Sequence, residues 1–153
     1  MTPLTSELVV LIAGHPVSVN HMYARGNRKL YKTPEAARWE TTAAYHVRIA
    51  AQRLWGLYDL SEYKGYPLHV EMIVMRPTWL GKTKAKRGLY VRPDVTNFIK
   101  SAEDVLCRTL NLDDSAVIRF VATKGFGRLD QTMLKLRVME KGSSSHAGIT
   151  AQG

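Results

Sequence analysis

A chain of 153 residues with 45% hydrophobic and 23% charged residues has the length of one domain, enough apolar material for a core, and none of the composition of a disordered tail. Its 22 Lys and Arg against 13 Asp and Glu give a net charge of +9, which favours a polyanionic partner, nucleic acid foremost, over a membrane surface. No apolar run is long enough to span a bilayer, and the single cysteine, Cys107, has no partner for an internal disulfide, as expected of a cytoplasmic protein.

Residues 7–14 are β-branched and apolar and end at Gly14 and Pro16, which predicts a buried strand. Acidic Glu7 precedes this run, so a signal peptide is not expected. From Ser18 to Lys32 the chain is poor in apolar residues, and Arg25, Arg28, Lys29 and Lys32 interleave with Tyr23 and Tyr31 around a turn at Gly26-Asn27. Such a loop suits phosphate contact and base stacking, or is simply solvated.

Thr33-Pro34-Glu35 combines a hydroxyl cap, a proline at the first position and an acid at the positive end of the dipole, and so predicts a helix start. Ala43, Ala44, Val47, Ala50, Ala51 and Leu54 form its inward stripe, Arg38, Tyr45, Arg48 and Gln52 look outward, and the pattern stops near Trp55-Gly56. After a turn-rich link over 59–65, Leu68, Val70, Met72 and Val74 alternate with His69 and Glu71, as in a strand with one face inward.

Pro77 ends that strand and opens a loop to Arg92. Between Arg76 and Arg92 lie Lys82, Lys84, Lys86 and Arg87, and no acid. Such a block repels itself unless an anion gathers it, so it is either a DNA grip or a solvated loop. Pro93 suits the mouth of a helix from Val95, whose inward face is Phe98, Ala102, Val105, Leu106 and Leu110. Asn97, Lys100, Ser101, Asp104 and Arg108 fall on the other face, with Glu103 at its edge and expected in solvent. A reversal at Asn111 brings in Asp113 and Asp114 ahead of a strand to about Lys124. A connection over 125–130 then leads to a last strand, 131–140, with Leu134, Leu136 and Val138 inward and Lys135 and Arg137 outward. Residues 1–140 read as one domain and 141–153 as a flexible tail. The order predicts an α/β (α+β) fold, a compact single domain with a mixed β-sheet and two main helices.

Mg²⁺ takes oxygen ligands, commonly one or two carboxylates with water and phosphate filling the rest, and Asp94 with Asp114 meets that minimum. Lys100 between them would place a positive charge near a phosphate. The alternative is purely structural: Asp94 as a helix-start residue and Asp113-Asp114 as a turn.

Asp94-x-x-Asn97-x-x-Lys100, then Asp104, then Leu112-Asp113-Asp114-Ser115-x-Val117, resembles the signature of the RusA family of Holliday-junction resolvases, and Val17-Ser18-Val19-Asn20-His21-Met22-Tyr23 is similar to that family's early motif. The resemblance implies a RusA-like fold and a homodimer acting on four-way or otherwise branched DNA with Mg²⁺, Mn²⁺ being the other candidate ion. It implies Asp94, Lys100 and Asp114 as catalytic residues, and Asp94 and Asp114 as metal ligands with Asp113 or Asp104 assisting. Asn20, Thr96 and Asn97 would shape the site. Arg25, Arg28, Lys29, Lys82, Lys84, Lys86, Arg87 and Arg92 would meet the DNA backbone. Many relatives carry a second acid where this chain has Thr96, and a hydroxyl is the poorer Mg²⁺ ligand. The implied function is therefore hydrolysis of phosphodiester bonds in recombination and repair, with a junction-binding protein of impaired catalysis as the alternative.

Overall fold

The computed structural model describes residues 4–18, 23–25, 30–85, 87–90 and 94–142. Four strands form one mixed sheet: β1 (Leu8–Ala13), β4 (Leu68–Met75), β5 (Val117–Gly125) and β6 (Gln131–Val138), in the order β1-β6-β4-β5. β6 runs antiparallel to both β1 and β4, whereas β5 runs parallel to β4, as a crossover through a helix requires. Two short strands, β2 (Tyr23–Arg25) and β3 (Leu30–Lys32), pair antiparallel in a sheet of their own. The segment 18–32, expected as an open loop, is thus in part a hairpin. Strands of three residues carry too little periodicity to be seen in the sequence.

α1 (Pro34–Trp55) begins as its sequence predicts: the Thr33 hydroxyl accepts from the Ala36 N–H at 3.3 Å, and Gly56 ends the helix at φ 75°, a left-handed conformation that glycine adopts without strain. Ala36, Trp39, Ala43, Val47 and Ala51 are its buried stripe, and the alanines let it lie close to β1 and α2. Leu54, expected on this stripe, is 42% exposed, because in the last turn it is Trp55 that packs on the core. α2 (Ile99–Leu110) buries Ala102, Val105, Leu106 and Leu110 as its spacing predicts, and Cys107 with them. Ser101, expected outward, is fully buried beside Ala102.

Both helices cover one face of the sheet, where Leu8, Val10, Ile12, Leu68, Val70, Met72, Val74, Leu134, Leu136 and Val138 make up the core. The other face has no described element over it. There, alternate residues of β1 leave Val9 49% and Leu11 52% exposed, and Leu11 stands beside Met133, which in turn pairs with Ile73 of β4. The opposite half of that face is charged: His69 lies between Arg137 and Arg119, and Glu71 is paired in register with Lys135. Burial, then Arg119 and Arg137, hold the His69 imidazole below its usual pKa.

Candidate functional site

The crossover from β4 to β5 carries the predicted site. Asp94 opens it in an extended conformation, and the chain then takes one 3-10 turn, Val95–Phe98, before α2 begins at Ile99. The helix expected from Val95 therefore has a tighter first turn, closed by the Asn97 N–H donating to the Asp94 carbonyl at 3.0 Å. The Asp94 side chain makes no cap hydrogen bond. Asp94 is thus a helix-start residue by position only, and its exposed carboxylate is not spent on the helix. Thr96 is exposed on the same turn and Asn97 is half-buried. Phe98 fixes the turn to the core, its ring lying 6.1 Å from that of Trp79.

The far end of α2 is set by Asn111, which stands at φ 57° and ψ 48°, a left-handed conformation asparagine tolerates. Its side chain is held on two sides, donating to Asp59 Oδ1 at 3.3 Å and accepting from Lys64 Nζ at 3.2 Å. The Leu60 N–H also donates to the Leu110 carbonyl at 2.8 Å. The link between α1 and β4 thus decides where the chain after α2 emerges. Asp113 caps the short 3-10 turn Asp114–Ala116, its Oδ1 accepting from the Ser115 N–H at 3.0 Å and the Ser115 hydroxyl at 2.8 Å. These bonds hold the Asp113 carboxyl below the usual carboxylate range. Asp114 beside it is exposed.

Charges gather along the flank of α2. Lys100 Nζ lies 3.1 Å from Asp104 Oδ1, and this bond, reinforced by the Asp104, Asp114 and Glu103 charges, raises the Lys100 pKa. Glu103, expected in solvent, is half-buried; burial, then the Asp114 charge, push its carboxyl up. Burial and the surrounding acids push the Cys107 thiol up to about 12, so it is a core residue and no nucleophile. A shallow concavity of ≈ 260 Å³ opens between Asp104, Arg108, Asp113, Asp114 and Lys64. Lys100, Glu103, Asp104 and Asp114 therefore act on one another, while Asp94, which opens the turn before α2, is not among the charges felt by Lys100, Glu103 or Cys107.

Among the described residues no three of His, Cys, Asp and Glu are grouped to hold a metal ion. The donors present are nonetheless the hard oxygens that Mg²⁺ prefers. Mg²⁺ ordinarily needs only one or two protein carboxylates.

Of the predicted DNA contacts, Lys82, Lys84 and Arg87 are exposed on the loop after β4. That loop is tied across itself by bridges between Leu80 and Tyr90 and between Gly81 and Arg87. Arg25 lies in β2; Asn20, Arg28, Lys29, Lys86 and Arg92 fall outside the described residues, as does the tail beyond 142. No helix among the described residues is long and apolar enough to cross a membrane.

Comparison with curated proteins finds no match. Among solved structures, one similar chain is a 2C-methyl-D-erythritol-2,4-cyclodiphosphate synthase in its CDP-bound form, 12% identical, with 87% of this chain and 95% of that one covered and a TM-score of 0.28. A likeness that low carries no argument about fold or function. Comparison with family models is decisive: the family described as Endodeoxyribonuclease RusA matches residues 13–137. That span runs from the last residue of β1 nearly to the end of β6 and takes in every element that frames the acids, so the chain belongs to the RusA family of endodeoxyribonucleases.

Proposed function

We propose that the protein is a Mg²⁺-dependent endonuclease that resolves Holliday junctions and other branched DNA in recombination and repair. The observation that carries this reading is the set of acids, Glu103, Asp104 and Asp114, gathered about Lys100 on the helix that Asp94 opens. Asp94 and Asp114 hold the ion, with Asp104 or Asp113 assisting; Mn²⁺ is the natural substitute. A bound Mg²⁺ supplies Lewis-acid polarisation of the scissile phosphate and a water activated for attack. Lys100 steadies the charge that develops on the phosphate: its ammonium carries three donors, of which Asp104 engages one, and its side chain is 51% exposed. Asn97 fixes the Asp94 turn, and Thr96 borders it.

Incubation of the protein with a synthetic four-way junction and a matching linear duplex, with Mg²⁺ and with chelator, tests the reading. Paired nicks near the branch point that require the metal are the expected result. Thr96 in place of the acid many relatives carry, together with the Asp113 carboxylate committed to Ser115, favours a second reading: a protein that binds junctions and does not cut them. Junction binding without nicks would select it. Equal affinity for duplex and junction would count against both.

The loop after β4 grips the backbone through Lys84, Lys86 and Arg87. Replacing the three with Gln should weaken junction binding and lower the log–log salt slope by roughly 0.9 for each phosphate no longer neutralised. An unchanged slope in a salt titration followed by anisotropy would show that this loop does not touch DNA.

A four-way junction needs two cuts in strands of like polarity, so the working unit is a homodimer. The outer face of the sheet supports that pairing: it is apolar at Val9, Leu11 and Met133 and carries charges of both signs around His69, so one copy of it complements another. Leu11→Arg should dissociate the dimer, raising its dissociation constant by roughly a hundredfold, because like charges then face each other across the axis. Light scattering that still finds two copies would move the interface elsewhere.

A further inference from the structure

A second group of charged residues stands at the carboxyl ends of β4 and β5, distinct from the acids along α2. Gly14, at φ 81°, turns the chain out of β1, and its N–H donates to the Asp130 carbonyl at 2.8 Å. This turn lays His15 across the start of β6, with Nδ1 2.9 Å from both carboxylate oxygens of Asp130. An ionised carboxylate only accepts, so Nδ1 donates to it, and Nε2, the nitrogen left to face a ligand, donates to a phosphate when the ring carries both protons. Among the described residues Nε2 has no partner.

Arg76, just past β4, is fixed by its backbone N–H donating to the Gly125 carbonyl at 3.0 Å. Its guanidinium lies 4.8 Å from the centre of the Trp79 ring, and Lys124 Nζ lies 4.6 Å from the same centre. Trp79 is fully buried and donates to the Val74 carbonyl at 2.8 Å, so the platform under both cations is rigid. Arg76 Nε comes to 3.9 Å of Asp130 Oδ2 but is shut from solvent without a hydrogen bond. One guanidinium donor is thus left without a partner, which is costly unless an anion completes it. The His15 ring also packs against that of Phe98, tilted at 57° with centres 5.6 Å apart, and Phe98 closes the turn that starts at Asp94.

We propose that His15, Arg76 and Lys124 form a phosphodiester-binding subsite that holds a DNA backbone phosphate at the end of the sheet where Asp94 opens α2. This rests on the nuclease reading above, from which the DNA strand follows as ligand. Asp130 is a positioning residue: it orients the His15 ring through Nδ1 and lies beside Arg76. The subsite gives the strand a fixed point of rigid side chains, unlike the lysines of the neighbouring loop, and so sets which phosphate lies over the acids.

The test is a salt titration of four-way-junction binding in chelator, comparing the wild-type protein with an Arg76→Gln/Lys124→Gln double variant. The variant should bind about tenfold more weakly or worse, as loss of a hydrogen bond to a charged group implies, and its log–log slope should fall by about 0.9. Because Arg76 also covers Trp79, a second measurement leaves the protein intact. Titrating the wild type with a short single-stranded oligonucleotide should move the His15 imidazole resonances and leave those of His69, on the outer sheet face, in place. Wild-type binding with an unaltered slope in the variant and a silent His15 would overturn the subsite alone. Failure of the wild type to bind any DNA would overturn the nuclease reading and the subsite together.

Discussion

Asp94→Asn and Asp114→Asn should each abolish nicking of a four-way junction while binding stays intact or tightens. Each change keeps the side chain's size and removes the negative oxygen that a hard cation requires. Loss of groups that merely orient metal ligands costs about 10–100-fold, so loss of a direct ligand should cost at least about 100-fold in cleavage rate. Binding is spared because a carboxylate facing a phosphate repels it, and asparagine relieves that repulsion. Asp114 is exposed and Asp94 makes no cap hydrogen bond, so neither change should weaken the fold. Gel assays of nicking beside binding measurements in chelator separate the two effects. Undiminished cutting by either variant would remove that residue from the metal site.

Phe98→Ala should be the most destabilising single change near the site. The ring is 1% exposed and packs against Trp79 and His15, and its loss leaves a cavity in a rigid core. Truncations of this kind cost about 3–5 kcal/mol, a large share of the stability of a domain this size. Urea unfolding should show the midpoint falling with little change in slope. Phe98→Leu, which keeps most of the volume, should cost far less. Because Phe98 anchors the 3-10 turn that Asp94 begins, the alanine variant should also cut poorly under conditions where it remains folded. A loss below about 1 kcal/mol would mean that the turn is held by something other than this ring.

The long elements were legible because their burial is periodic. β4 alternates along its whole length and α2 keeps Ala102, Val105, Leu106 and Leu110 inward as predicted, so pattern alone placed both. β2 and β3 were missed because three residues show no period, and Leu54 was misplaced because a stripe read from spacing does not know where the core ends. On α2, Lys100 and Asp104 were placed on one flank by their helical spacing, and the reversal at Asn111 was legible as well. The half-burial of Glu103 was not, since a residue at the border of a helical face is assigned by its neighbours in space. The His15–Asp130 pair joins residues 115 positions apart and had no local signal at all.

The strand order carries a consequence for biosynthesis. β5 and β6 are neighbours in the chain but not in the sheet, since β4 lies between them, and β1 reaches the rest only through β6. A nascent polypeptide still holding residues 131–138 in the ribosome has nothing to join β1 to β4, and pairing of this kind waits on slow, long-range closure. The scaffold under Asp94 and Asp114 is thus completed only once residues 131–138 have been made, so a product truncated before them should fail to close the sheet.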